Sequence, residues 1–361
     1  MKLDLVCNLP PVDGNPRNSE GTFARGFKGE ILYAYSRYTG ESCHDDATCD
    51  IALIRSFDEG NTWSEPVIIA RAKEDFGTNN VMSVSSVVQK NGDLAFYFLI
   101  KELDYTTSIG RVLTRDGENF TAERCQFDKS VRPGYFCVNN DRIVRLSDGR
   151  LMAPWCWVCA EAAKIDRRDP CHCGAFLSDD DGKTFYDAGF DFVSTDLANT
   201  RYGFQEPGMI ELSDRLYYWT RTGYGRQYET VSFTGPSGFH YPQPSIFTSP
   251  VSPMQIKKHN GILYNAYNPK PRWNGYEEYE QEHPGVWSRS PMVLRISRDE
   301  GKTWGKMNVV GDDPDRGYSY PAMFFTEDGH LLLGICRGSG AEGNNLCTIG
   351  IYKIDLSTVE E

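Results

Sequence analysis

Ser56-Phe-Asp58-Glu-Gly60-Asn-Thr62-Trp63 sets a serine, an aspartate, a glycine and a threonine at alternate positions and ends on a tryptophan. The same frame returns as Ser178-Asp-Asp180-Asp-Gly182-Lys-Thr184-Phe185 and as Ser297-Arg-Asp299-Glu-Gly301-Lys-Thr303-Trp304. Two worn copies lie between them, Thr114-Arg-Asp116-Gly-Glu-Asn-Phe120 and Ser232-Phe-Thr-Gly-Pro-Ser-Gly-Phe239. These residue types suit a tight hairpin. Asp and Ser or Thr oxygens satisfy the turn amides, Gly takes the positive φ, and the ring packs under the turn. The octapeptide is therefore a structural element on the periphery of a repeated unit, with no part in catalysis.

A second element runs in phase with the first: a Gly- or Asp-bearing turn followed by an apolar strand. Its copies begin at Lys28-Gly-Glu-Ile, Asn91-Gly-Asp-Leu, Asp148-Gly-Arg-Leu, Ser213-Asp-Arg-Leu, Asn260-Gly-Ile-Leu and Asp328-Gly-His-Leu. The repeat length is about 60 residues, and each unit reads as strands and hairpins with no helical period. No such unit can bury its sheet faces alone, so residues 1–361 are expected to form one all-β domain, a six-bladed β-propeller. The last unit, about 312–356, lacks the octapeptide, and a strand from near the N-terminus is expected to close it. In a propeller the functional residues should recur once per blade, far apart in sequence, and meet on the axis.

Composition narrows the function. The 361 residues are 40% hydrophobic, 24% charged and 13% aromatic, which excludes a disordered chain. A formal charge of −12 argues against nucleic acid or an anionic membrane as partner, so an anionic ligand would need a local basic pocket. No apolar run approaches the ~20 residues that span a bilayer. The opening Met1-Lys-Leu-Asp-Leu-Val-Cys7 lacks the apolar stretch of a secretory signal, and the cysteine count of 11 fits reduced thiols, so the expected location is the cytoplasm.

The repeated Ser-x-Asp-x-Gly-x-Thr-Trp box on a chain of six units resembles the sialidase (neuraminidase) superfamily over nearly its whole length. That resemblance implies a sialidase-like propeller and a retaining exo-glycosidase that releases a terminal anionic sugar, sialic acid or a related keto sugar acid, from a glycoconjugate. It also implies three arginines from different blades around the sugar carboxylate, a grip that the planar guanidinium fork suits and Lys does not. Arg221 follows Glu206 at the family's separation in Gln205-Glu206-Pro207-Gly-Met, and Arg289 precedes the third box. The family's Arg-Ile-Pro motif is absent, and Arg17 in Pro16-Arg17-Asn-Ser-Glu-Gly21 takes its place, with Arg25 as competitor.

For the acid/base the resemblance points to Asp45, five residues before Asp50, with Asp46 as the alternative and a solvated acidic loop as the bland reading. A carboxylate nucleophile would be repelled by the substrate's own carboxylate, so the family uses a Tyr activated by a Glu. Here Arg316-Gly-Tyr318-Ser-Tyr320-Pro opens the last inner strand. Tyr318 is assigned as nucleophile, Tyr320 as the reserve and pocket residue, and Glu206 as base; packing of both tyrosines in the channel is the structural alternative. Arg226, Tyr228, Asn79, Asn80, Ser83, Asn139, Asn140 and Asp141 are substrate-contact candidates. No metal or cofactor is required.

Two further clusters carry less. Cys156-Trp-Val-Cys159 and Cys171-His172-Cys173 have zinc-like spacing, but alternation along a strand turns at most two of the last three side chains one way, so buried thiols are the preferred reading. The acidic run Glu277-Glu-Tyr-Glu-Gln-Glu282, beside Tyr276, reads as a solvated loop. Where sialidases often carry a Glu, the last inner strand has Gly334-Ile-Cys-Arg337. The alternatives are a carbohydrate-binding propeller without turnover and a lyase or hydrolase acting on a uronic-acid-containing glycan.

Overall fold

The computed structural model describes residues 1–165, 171–194, 203–270 and 281–361. It is all-β and propeller-like, with two short helices, Ala72–Phe76 and Ala160–Lys164. Each hairpin-forming stretch of the repeat becomes an antiparallel meander. Asn18–Arg25, Ile31–Tyr38, Cys49–Ser56 and Val67–Ala70 pair in order, as do Asn80–Val88, Leu94–Lys101, Thr107–Thr114 and Thr121–Arg124. A single parallel pairing, Cys49 with Asn80, joins these two meanders into one eight-stranded sheet. Tyr135–Cys137 and Val144–Arg145 both pair with Leu151–Val158, which continues to His172–Ser178 and Thr184–Val193. Two further meanders start at Gln205–Glu211 and Gln255–His259. The last comprises Ser319–Phe325, His330–Cys336 and Ile349–Asp355, and Leu3–Leu9 lies on its edge, antiparallel to Ile349–Asp355.

The turn glycines of the repeat, Gly29, Gly92, Gly149, Gly261 and Gly329, all have φ between 80° and 88°, a region that costs other residues more. The octapeptides fold as hydrogen-bonded turns. In the second, buried Ser178 donates to Asp180 (2.8 Å) and accepts from the Gly182 amide (2.8 Å), while Asp180 accepts from the Thr184 amide (2.9 Å). Phe185 is fully buried beneath the turn, among Phe127, Phe176 and Tyr97. Ser178→Ala strands the buried Gly182 N–H and is expected to cost about 1–3 kcal/mol, read from the midpoint of urea unfolding.

First strands pack against one another between most neighbouring meanders, the third meander instead meeting Gln205–Glu211 through Leu151–Val158, and Asn18–Arg25 touches both Asn80–Val88 and Ser319–Phe325, so the first and last meanders meet. Asp141 ties this inner ring together. It accepts from Thr22 Oγ1 (2.9 Å), Lys257 Nζ (2.7 Å), Gln255 Nε2 (3.2 Å) and the Met323 amide (3.2 Å). Beside it Arg142 is buried against Trp219 and donates to Gln255 and to the Met254 carbonyl, and burial lowers its pKa to about 10. Asp141 has φ 58°, a conformation Asn tolerates, so Asp141→Asn tests the charge and not the backbone. Its expected cost is about 3 kcal/mol, the low end for a broken buried pair because Lys257 is partly exposed; an unchanged unfolding midpoint would remove Asp141 from this role.

Among the described residues no helix is long and apolar enough to cross a membrane.

Candidate active site

Four inner strands carry the same irregularity. Pairing slips by a residue between Ser19 and Thr22, Met82 and Ser85, Gln205 and Gly208, and Ser319 and Ala322. At each slip one non-glycine residue takes a left-handed backbone: Glu20 (φ 55°), Ser83 (φ 62°), Glu206 (φ 43°) and Tyr320 (φ 53°). Such bulges re-aim a side chain and hold backbone strain that the surrounding sheet must support. All four side chains line one cavity of about 560 Å³.

Within it the Tyr320 hydroxyl donates to Glu206 Oε1 at 2.9 Å, and the other oxygen of that carboxylate pairs with Arg221. Arg221 also donates to Gln205 Oε1 (2.8 Å) and lies 3.5 Å from the Tyr320 oxygen. Burial opposes the charge on Arg221, but Glu206 and Tyr320 outweigh it and its pKa rises. Burial, with Glu206 adding and Arg221 and Arg289 opposing, pushes the Tyr320 phenol well above its ordinary range. Arg289 stands over the Tyr320 ring, 5.5 Å from its centroid, and donates to the Val251 carbonyl (3.1 Å) and Ser319 Oγ (3.3 Å). Among the described residues no carboxylate pairs with Arg289, so it is the cavity's most available cation.

Tyr318, assigned as nucleophile from the sequence, is not in the cavity. Its ring packs against Gly311 and within the apolar core between the last two meanders, where burial pushes its pKa up to about 12. Simple alternation would turn residues 318 and 320 the same way; the bulge after Ser319 breaks that rule and delivers Tyr320 alone. A signal was present in the sequence: Glu206-Pro-Gly-Met and Tyr320-Pro-Ala-Met occupy the same bulge in two units.

Asp45 lines the cavity, whereas Asp46 is exposed and pairs with Lys101 (3.0 Å). Arg17 is 1% exposed and sits behind Asp45 instead of facing the cavity. Its guanidinium donates to Asp45 Oδ1 (2.5 Å), Ser19 Oγ (3.0 Å), the Cys43 carbonyl (3.2 Å) and Glu20 (3.4 Å). Arg25 lies elsewhere, paired with Glu59 across the outer hairpin. Asn80 does not line the cavity; it donates to the Asp45 (3.0 Å) and Ala47 (2.6 Å) carbonyls and so holds the Asp45 loop. Lys101, which the sequence reading missed, donates to the Asp45 carbonyl (2.6 Å) from the cavity wall. Buried Glu20, also missed, accepts from Ser83 Oγ (2.6 Å) and Arg17, and burial raises its pKa against Arg17.

Arg226 and Tyr228 do not line the cavity. Arg226 donates to the Ser245 carbonyl (3.2 Å) and Tyr228 packs against Phe204 and Tyr224, since both belong to the strand Arg226–Ser232, one further out than Arg221. Asn139 lines the cavity; Asn140 donates to the Gly21 (2.8 Å) and Tyr320 (3.3 Å) carbonyls and Asp141 joins the inner ring, so neither reaches it. Among the described residues no three His, Cys, Asp or Glu side chains are arranged to hold a metal, and Cys159 is exposed. Of the acidic run, residues 276–280 lie outside the described residues.

A family model described as a BNR repeat-like domain matches residues 34–333. The chain belongs to the BNR repeat-like family. A comparison of this BNR repeat-like chain with curated proteins finds no match. Solved structures share its fold: a Dyadobacter fermentans protein of unknown function (14% identity, TM-score 0.70, covering 98% of this chain and 99% of that one) and a Hadza microbial sialidase (14%, 0.71, 95% and 66%). Another is Trypanosoma rangeli sialidase in complex with sialic acid (14%, 0.67, 99% and 59%). The BNR repeat-like chain thus spans about two thirds or less of the length of these two sialidases.

Proposed function

We propose that the chain is a sialidase-like retaining exo-glycosidase on a six-bladed propeller, and that it releases a terminal anionic sugar, sialic acid or a related keto sugar acid, from a glycoconjugate. The observation that carries this reading is the Tyr320–Glu206 hydrogen bond inside a cavity that also holds Arg221 and Arg289. Six successive antiparallel meanders, the last packed against the first, support the blade number.

Each residue then has a task that its surroundings suit. Arg289 and Arg221 receive the sugar carboxylate. Glu206 takes the phenol proton as the Tyr320 oxygen bonds to the anomeric carbon, so the attacking group approaches the anionic sugar uncharged. Asp45 gives a proton to the departing oxygen. In the second half Asp45 takes a proton from water, the water oxygen displaces Tyr320, and Glu206 returns the phenol proton. Two displacements at one carbon retain configuration.

Arg17 has a different part from the one read off the sequence. It stands behind Asp45 and its guanidinium grips that carboxyl group, which positions the acid at the cavity wall.

The test is hydrolysis of an aryl α-sialoside by the purified chain, with NMR of the first-formed sugar. Phenol release with the α-anomer formed first is the expected result. Binding of the free sugar acid with no phenol release would make the cavity a lectin-like site and end the catalytic reading.

A further inference from the structure

The cavity wall contains chemistry that sugar cleavage does not use. Cys137 and Cys156 are direct partners across two antiparallel strands, Tyr135–Cys137 and Leu151–Val158. Both line the cavity, and both are free thiols. The Cys137 thiol donates to Asn139 Oδ1 (3.4 Å), and Cys171 is the third thiol of the wall.

Directly opposed residues on antiparallel strands have Cβ atoms about 4.5–5.5 Å apart, and a disulfide needs about 3.5–4.5 Å. The adjustment is small, and the strand that must move is suited to it. Tyr135–Cys137 has 3 residues and is paired on one side, at the end of its sheet. The two thiols are not equivalent. Hydrogen bonds from Cys137 and Cys171, the Glu206 amide and the nearby Arg221 draw Cys156 toward its thiolate against the effect of burial. Cys173, opposite Cys156 on the other neighbouring strand, is turned to Thr220 Oγ1 (3.5 Å) and does not line the cavity.

We propose that Cys137 and Cys156 form a dithiol site in the cavity wall that a small peroxide oxidises to a disulfide. The Cys156 thiolate attacks a peroxide oxygen, the O–O bond breaks, and the departing hydroxide takes the thiol proton to leave as water, with Cys156 as sulfenic acid. The Cys137 sulfur then attacks that sulfur, an S–S bond forms, and the expelled hydroxide leaves with the Cys137 proton as a second water. Two thiols and one peroxide give one disulfide and two waters, and the electron pair lost by sulfur ends on oxygen. Because Cys156 and Glu206 line the same cavity, the new bond alters the wall that holds the Tyr320–Glu206 pair. The site stands apart from the proposed glycosidase reading, since its readout is chemical.

The experiment treats the reduced full chain with hydrogen peroxide and maps peptides by mass spectrometry. The expected result is loss of two hydrogens and a reductant-reversible link between the Cys137 and Cys156 peptides, formed before oxidation of exposed Cys159. Cys137→Ser is expected to abolish the link and leave Cys156 to advance to the sulfinic acid, while Cys173→Ser leaves the link intact. A link from Cys156 to Cys171, or oxidation of Cys159 alone, would overturn the assignment. Both the supporting and the overturning result are read on the unsubstituted chain, so a variant that misfolds does not blunt the test.

Discussion

Tyr320→Phe is expected to lower kcat on an aryl α-sialoside by at least about a thousandfold, the scale on which removal of a covalent nucleophile acts. Removing one oxygen deletes the hydrogen bond to Glu206 at 2.9 Å and leaves the ring where it is, beneath Arg289. Glu206 keeps Arg221 as partner, so the fold loses about one hydrogen bond, roughly 1 kcal/mol. Affinity for the free sugar acid should therefore stay within about threefold of the parent, because the arginines proposed to hold the carboxylate are untouched. Tyr318→Phe is the paired control, since Tyr318 is packed in the apolar core away from the cavity. It should leave kcat within about twofold. Single-turnover measurements on the two variants check the assignment, and the reverse ranking would return the nucleophile to Tyr318.

Arg289→Lys is expected to weaken binding of the free sugar acid about tenfold to a hundredfold, the loss of one or two charge-assisted hydrogen bonds. The charge is retained in this variant; what is lost is the planar fork that meets both carboxylate oxygens. The effect is predicted to be largest here because Arg221 already shares its charge with Glu206, while no described carboxylate faces Arg289. Isothermal titration with the free sugar acid checks it. Equal affinity in parent and variant would show that the carboxylate is held elsewhere. A matching neutral sugar should bind parent and variant alike, which separates loss of the anion grip from general damage to the cavity.

Several features of the site were legible before any coordinates. Glu206 and Arg221 lie about fifteen residues apart and come together because one hairpin folds them side by side, a local consequence of the repeat. The short loop leading into the Cys49–Ser56 strand brings Asp45 to the cavity and leaves Asp46 exposed beside Lys101. The cavity holds Tyr320, two residues beyond the expected Tyr318, which packs in the core. Side-chain alternation is reliable on regular strands, and the strands that carry Glu206 and Tyr320 are irregular at those residues. Arg17 was expected in the cavity and lies behind Asp45, a pairing that depends on where a loop from another part of the unit comes to rest. Lys101 and Glu20 carried no local mark at all. Their importance arises from neighbours 56 and 63 positions away, Asp45 and Ser83.

Repetition is a one-dimensional property, so the chain's spacing of turn glycines and boxed aspartates sufficed to reveal stacked β-meanders and a shared axis. Convergence on that axis is three-dimensional. Which phenol meets Glu206, and that Glu20 and Ser83 join them, follow from four bulges whose left-handed backbones are stable only because the packed sheets hold them.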